Sequence, residues 1–205
     1  MKGILLLNGE AYRGEIDGAG SLVVCCDGAY RWACKKVRID ENVGDFDSLD
    51  VAPMPAPKEI YPKEKDFTDG EIGLFRLLDG GCDEIEIYGG GGGREDHFLG
   101  NLHLLYVAYS RGVKAKMVTN GASIFPASGR VELNGMAGKT VSVLPFGGEA
   151  HIGKSFGFYY PLDELALKYG SCRTLSNVIL SDEAYFDVTF GTALVFVEDG
   201  ENKVN

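Results

Sequence analysis

Four groups of acidic residues stand where the chain leaves an apolar run or enters a helical one. Asp27 follows Leu22–Cys26 (LVVCC). Asp45 and Asp47 lie in Gly44-Asp45-Phe46-Asp47-Ser48. Asp66 and Asp69 lie in Lys65-Asp66-Phe67-Thr68-Asp69, and Asp96 lies in Gly92-Gly93-Arg94-Glu95-Asp96-His97. Carboxylates two residues apart in extended chain point the same way, so Asp45 and Asp47 can grip one cation together. Hard oxygen donors of this kind suit Mg2+, which keeps several waters and is shared with substrate phosphates. A solvated acidic turn, with Asp69 as a helix N-cap, accounts for any one group taken singly. It does not account for four of them at successive strand ends, the edge at which an α/β domain binds its ligands.

The run Gly89–Gly93, closed by Arg94, is a second signal. It follows an apolar run and precedes a helical pattern. Glycines let backbone N–H groups approach phosphate oxygens, a helix N-terminus favours negative charge, and the Arg94 guanidinium can fork onto a phosphate. No Gly-Lys-Ser/Thr follows, so this is not a P-loop, and Arg94 breaks the dinucleotide fingerprint. A flexible loop explains the glycines equally well. The three histidines do not form a metal pair: His97 and His103 are six apart on a helical stretch, and His151 sits in a strand-like one. No serine lies in a Gly-x-Ser-x-Gly elbow.

The elements that must position these groups fall into two textures. Up to about residue 120, short apolar runs at Gly3–Leu7, Leu22–Cys26, Glu59–Tyr61, Glu84–Tyr88 and Ala115–Thr119 read as strands. The stretches Ala29–Lys36, Thr68–Leu78 and Glu95–Ser110 read as helices. In the last of these, Phe98, Leu99, Leu102, Leu105, Tyr106 and Tyr109 recur at three and four, which predicts one apolar face. Alternating strands and helices predict a parallel sheet covered by helices. Trp32 reads as packing. After Asn120-Gly121 the chain breaks into short strand-like segments divided by glycines, prolines and NG or DG turns, with one helix-like stretch at Asp163–Lys168. This predicts an all-β sandwich. The expected organisation is an α/β domain over residues 1–120 followed by a β-sandwich over 121–205.

The chain has 205 residues, 45% of them apolar and 24% charged, which is ample for a core without staples. Its formal charge of −10 argues against nucleic acid as a partner. The five cysteines are odd in number and form no C-x-x-C pair, as expected of reduced thiols in a cytoplasmic protein. No apolar run approaches the length of a membrane span.

Taken in order, CCDGAY, GDFDS, DFTD, GGGGREDHFLGN, GKSFGFYYPL and TLSNV resemble the signature blocks of bacterial thiamine pyrophosphokinase, over roughly residues 22 to 178. The resemblance implies an α/β domain followed by a β-sandwich and transfer of the pyrophosphoryl group of ATP to the hydroxyethyl group of thiamine, with release of AMP. It also implies Mg2+ and a homodimer with thiamine pockets at the subunit interface. On this resemblance Asp45, Asp47 and Asp69 hold Mg2+ against the triphosphate, and Asp27 lies beside the reacting hydroxyl. Thr68, Arg94 and Asp96 line the nucleotide side, Asp96 fixing Arg94 or a metal-bound water. In the β domain Tyr160 stacks on thiamine, and Ser176 and Asn177 hydrogen-bond it. The sequence departs from the family pattern at Tyr30, after the first Asp, and at Val178, where an acidic residue is frequent. Two other readings of the residues remain. One is a phosphohydrolase with an aspartyl nucleophile, for which Asp45-x-Asp47 is the pattern but the preceding Arg38–Val43 is unusually polar. The other is a non-catalytic sensor of thiamine or a nucleotide.

Overall fold

The computed structural model describes residues 1–46, 49–50, 52–57 and 66–201. Two compact units divide the chain, Met1–Asn120 and Gly121–Asn205.

The first unit carries strands β1 (Lys2–Leu6), β2 (Leu22–Cys26), β3 (Glu41–Val43), β4 (Glu84–Tyr88) and β5 (Lys114–Val118). Its helices are α1 (Tyr30–Ala33), α2 (Asp69–Asp79) and α3 (Glu95–Ser110). All five strands are parallel, in the order β3-β2-β1-β4-β5. Strand β1 is central, and Ile4, Leu5 and Leu6 are wholly buried, which is why its sequence is a continuous apolar run. The chain winds outward from β1 to β3 and then returns past β1 to β4. The topological switch therefore falls between β1 and β4, at the carboxyl edge of the sheet. Helix α2 packs on β1 and β2, and α3 on β5. The opposite face of β1 and β2 is covered by Ile16, Ala29, Ala33 and Ile39.

Farther along that face the sheet carries charge. The buried Glu86 of β4 accepts hydrogen bonds from Lys2 Nζ (2.8 Å), Lys116 Nζ (2.8 Å) and Tyr88 Oη (2.7 Å). Burial alone would raise its carboxyl pKa, but these three donors outweigh it and bring the pKa down to about 2.

Several local expectations are corrected. Strand β3 was not foreseen, because two of its three residues are polar. Glu41 and Asn42 are nonetheless buried, with Arg76 3.2 Å from Glu41 and the Asn42 amide donating to Pro55 O at 2.7 Å. The α-helical part of Ala29–Lys36 is confined to Tyr30–Ala33. Helix α3 buries Leu102, Leu104, Leu105 and Ala108, while Leu99 and Tyr106 are exposed. The buried stripe is thus rotated toward Leu104, whose side chain lies against Gly70 at the start of α2. The strand expected at Glu59–Tyr61 lies outside the described residues.

The second unit contains β6 (Ala122–Asn134), β7 (Lys139–Pro145), β8 (Ala150–Phe156), β9 (Leu165–Leu167), β10 (Asn177–Val178) and β11 (Glu183–Glu201). The long β6 and β11 pair antiparallel along both their halves, with a break in register between Val188 and Ala193. Past the break β11 pairs with β7; before it, β11 pairs with β8. The two halves thus extend into separate layers, β10-β7 on one and β9-β8 on the other. Both close on one core that includes Val131, Leu133, Val143, Ile152, Phe186 and Val195. The helix expected at Asp163–Lys168 is instead a turn leading into β9. Asp163 accepts the Ser155 N–H (3.0 Å) and hydroxyl (2.8 Å), which pins the segment across β8, and Glu164 has a positive φ of 51° that ends any helical course.

Candidate active site

At the carboxyl edge of the parallel sheet, each strand end delivers a polar group. Asp27 follows β2 with φ 43°, a left-handed conformation unusual for a residue with a Cβ. Gly44 faces it from the end of β3. A Cβ on Gly44 would stand 3.0 Å from the Asp27 Cβ, and its φ of 146° also favours glycine. In this tight seat Asp27 Oδ1 is buried and has no hydrogen-bond partner among the described residues. A buried carboxylate oxygen without a partner is costly, and strain of this kind collects where a ligand completes the site. Asp45 comes next after Gly44 and is half-buried.

Helix α2 opens at the same edge. Thr68, not Asp69, is its N-cap. The Thr68 hydroxyl accepts the Glu71 N–H at 3.2 Å, and the Glu71 carboxylate accepts the Thr68 N–H at 2.8 Å, a reciprocal box that fixes the first turn. Asp69 stands in the first turn that this cap fixes. Its position is tied to β2 from beneath, where Cys26 Sγ donates to Asp69 O at 3.2 Å. Asp27, Asp45 and Asp69 therefore share one edge. Asp47 and its neighbour Ser48 lie outside the described residues, and among the described residues no three His, Cys, Asp or Glu side chains converge as a metal cluster.

The glycine run has a different local cause from the one its sequence suggests. The chain leaving β1 runs alongside it as an extra ladder: Leu7 N–H donates to Tyr88 O (2.8 Å), Gly9 N–H to Gly89 O (2.8 Å) and Glu10 N–H to Gly91 O (2.6 Å). A Cβ on Gly89 would lie 2.3 Å from Leu7 O, so only glycine permits this approach. Asn101 of α3 donates to Gly90 O at 2.9 Å. The carbonyls of Gly89, Gly90 and Gly91 are thereby all used within the protein. The N–H groups of Gly90 to Arg94, by contrast, donate to no acceptor among the described residues. A row of unused amides before the N-terminus of α3 is a site for an anion. Arg94 projects from it into solvent and is gripped by Asp96, with Nε–Oδ1 at 3.1 Å and Nη2–Oδ2 at 2.6 Å. The guanidinium hydrogen bond holds the Asp96 carboxyl below its ordinary range, and Asp96 Oδ1 also accepts the His97 N–H.

In the β unit, Tyr160 is 63% exposed. Tyr159 and Tyr160 do not alternate as successive residues of a strand would. Strand β8 ends at Phe156, and the two rings touch edge to face, 4.8 Å between centroids. Gly157, with φ 84°, and Pro161 bracket a bend in place of a strand. Asn177 is buried and holds this bend from below. Its Oδ1 accepts the Tyr160 N–H (2.9 Å) and the Val178 N–H (2.9 Å), and its Nδ2 donates to Tyr160 O (2.7 Å). The Asn177 amide, expected to hydrogen-bond thiamine, is thus engaged by the backbone of Tyr160 and Val178. Ser176 is exposed and adopts φ 55°, with its N–H donated to Ser142 Oγ at 2.9 Å. The sequence reading missed Asn8, Cys26 and the hydrogen bond from Trp32 Nε1 to Leu7 O (3.3 Å), which steadies the β1 exit. A Gly directly after Asn8 was the one local hint of a turn there.

Two family models match the chain. Residues 17–117 match the model for the thiamin pyrophosphokinase catalytic domain, and residues 130–195 that for its vitamin B1 binding domain. The chain belongs to the thiamin pyrophosphokinase family. It is 31% identical to the thiamine pyrophosphokinase of Bacillus subtilis over 76% of each chain. A crystal structure of thiamine pyrophosphokinase from Bacillus subtilis superposes with a TM-score of 0.83 at 25% identity over the whole of both chains. A thiamin pyrophosphokinase family protein from Enterococcus faecalis has the same fold, with a TM-score of 0.81 at 21% identity, covering 98% of this chain and 100% of that one. Family membership makes the protein a transferase that pyrophosphorylates thiamine from ATP, and neither an aspartyl phosphohydrolase nor a non-catalytic sensor is favoured. A divalent metal accompanies that chemistry in general. No helix among the described residues is long and apolar enough to cross a membrane.

Proposed function

We propose that the carboxyl edge of the α/β unit is where the pyrophosphoryl group of MgATP passes to the hydroxyethyl oxygen of thiamine, giving thiamine diphosphate and AMP. The observation that carries this assignment is the buried Oδ1 of Asp27, without a partner among the described residues, seated one strand from Asp45 at the edge that also holds Asp69. An orphan carboxylate oxygen beside further carboxylates fits a hydroxyl donor or a hydrated cation. Mg2+, when bound by Asp45, Asp47 and Asp69, supplies neutralisation of the phosphate charge.

The remaining roles fall to the chain itself. Asp27 Oδ1 accepts the hydrogen bond of the attacking hydroxyl and orients its lone pair toward the β-phosphorus. The unused amides after Gly89 and the Arg94 fork bind phosphate oxygens, so that charge on the departing AMP is met by fixed dipoles. Asp96 holds Arg94 in position, and Thr68 fixes the helix turn that presents Asp69. Tyr160 offers its ring face to the cationic thiazolium or the aminopyrimidine. Ser176 supplies a hydroxyl, and Asn177 sets the angle of Tyr160. Residues 1–120 thus serve the nucleotide and metal, and residues 121–205 serve thiamine and dimerisation. The protein is assigned as a cytoplasmic homodimer with thiamine pockets at the subunit interface, without nucleic-acid or membrane partners. The exposed aromatic side chains of the β unit, Phe156, Tyr159, Tyr160 and Phe190, support this assignment.

Purified protein given MgATP and thiamine should produce AMP and thiamine diphosphate in equal amounts. Release of inorganic phosphate without AMP would overturn the reading. Sedimentation should give twice the monomer mass, and a fully active monomer would overturn the dimer.

A further inference from the structure

We propose that Asn8, at the exit of β1, is a further catalytic residue whose side-chain amide binds a phosphoryl oxygen between Asp27 and the glycine run. This rests on the assignment of the carboxyl edge to pyrophosphoryl transfer. The strand order β3-β2-β1-β4 places the groups at that edge in the spatial sequence Asp45, Asp27, Asn8, Gly89. Neighbouring strands are about 4.8 Å apart, so Asn8 stands about one strand spacing from the carboxylates and one from the anion-binding amides. A phosphate chain reaching from one to the other must cross it.

The local structure holds the amide there without using it. Backbone hydrogen bonds on either side, from Leu7 and Gly9 to Tyr88 and Gly89, fix the course of the chain through Asn8. The side chain lies directly over Gly28, the residue after Asp27: a Cβ there would come within 2.4 Å of Nδ2 and 2.7 Å of Oδ1. Asn8 is exposed, and its amide has no hydrogen-bond partner among the described residues. A neutral donor suits this place, since a carboxylate would repel phosphate and a cation would pair with Asp27. The amide Nδ2 is positioned to donate to a non-bridging oxygen of the phosphoryl group that is transferred, and its benefit grows as charge builds there.

Asn8→Ala should lower kcat about a hundredfold, the usual loss for one preorganised donor, with the Michaelis constant for thiamine within about twofold of the parent. Asn8→Asp keeps the shape and replaces the donor by an anion. It should lower kcat further and weaken binding of α,β-methylene-ATP with Mg2+, measured by calorimetry, by about tenfold. Gly28→Ala should reproduce the Asn8→Ala loss, because its methyl group displaces the amide. Asn8→Ala and Asn8→Asp should melt close to the parent, since the amide makes no bond among the described residues. If Asn8→Ala and Asn8→Asp both stay within about threefold of the parent in kcat and in analogue affinity, the proposal is wrong. It is also wrong if the losses appear only alongside a lowered melting temperature. If the parent itself makes no AMP, the functional assignment fails, while calorimetry with the analogue still decides whether Asn8 faces a nucleotide.

Discussion

The two units place their functional groups by opposite means. In the α/β unit, Asp27, Asp45 and the glycine run sit directly on strand ends, and backbone pairing sets their spacing. Side chains add to this at separate points: Cys26 on the Asp69 carbonyl, the Thr68–Glu71 box, Asn101 on the Gly90 carbonyl and the Asp96 grip on Arg94. In the β unit, Tyr160 stands on a bend outside any strand, and one buried amide, that of Asn177, holds it. A sheet edge distributes the burden over many backbone bonds, whereas at the bend both backbone groups of Tyr160 rest on one side chain, with Tyr159 N–H on Val178 O (2.9 Å) and Leu162 N–H on Ser155 Oγ (3.0 Å) holding its flanks. Losing a functional side chain at the edge should therefore cost chemistry without stability. Losing the support at the bend should cost both.

The largest expected effect tests the first half of that contrast. Asp45→Asn, or Asp47→Asn, should reduce turnover on the order of a thousandfold and leave the melting temperature nearly unchanged. Near-normal rates at saturating Mg2+ would remove these residues from the metal role. Next comes the support of the bend. Asn177→Ala leaves the Tyr160 N–H and carbonyl unpaired and should destabilise the protein by about 2–3 kcal/mol, while raising the Michaelis constant for thiamine more than the loss of the tyrosine ring does. An unchanged denaturation midpoint would show that the bend is held by something else. Tyr160→Ala should raise the thiamine constant roughly five- to thirtyfold, equivalent to about 1–2 kcal/mol of stacking, with the constant for ATP unaffected. Tyr160→Phe should retain most of the affinity. Equal changes for both substrates would break the division between units.

The smallest effect on activity is expected where the α/β unit is charged but remote from chemistry. The Glu86 carboxyl is brought from an ordinary 4.5 down to about 2 in the folded chain. Its ion pairs therefore add stability that is complete above about pH 4.5 and is lost as pH falls toward 2. Glu86→Gln should cost about 2 kcal/mol at neutral pH, allowing for solvent screening. The gap between parent and variant should close below pH 3, with kcat intact throughout. A gap that persists at acid pH would mean the loss comes from packing rather than charge.

How far the sequence could be read follows from where each cause lies along the chain. Strands β1 and β2 declare themselves as continuous apolar runs, and β4 (EIEIY) and β5 (KAKMV) by apolar residues alternating with charged ones. Strand β3 does not, because Glu41 and Asn42 are buried through partners at Arg76 and Pro55 that no local window contains. The candidate carboxylates were visible because strand ends and acidic residues coincide. Asn177 was visible only as a polar residue in TLSNV, since its task depends on the backbone of Tyr160. The glycine run was noticed for the right position and an incomplete reason. Its close neighbour is the chain leaving β1, and the free amides are what remains on the other side.

That ladder between the exit of β1 and the glycine run has a consequence for exchange with solvent. Glycine-rich segments ordinarily lose their amide protons quickly. Here the Gly9 and Glu10 amides are donors in a continuation of the central β1–β4 pairing beyond the strand ends. Their deuterium uptake should be slow, close to that of Leu5 and Ile87 in the adjoining sheet, while Gly92 and Gly93 exchange freely a few residues away. The phosphate-facing amides would then hang from a frame that is already ordered before nucleotide arrives, and little additional protection should appear in residues 7–10 when it binds.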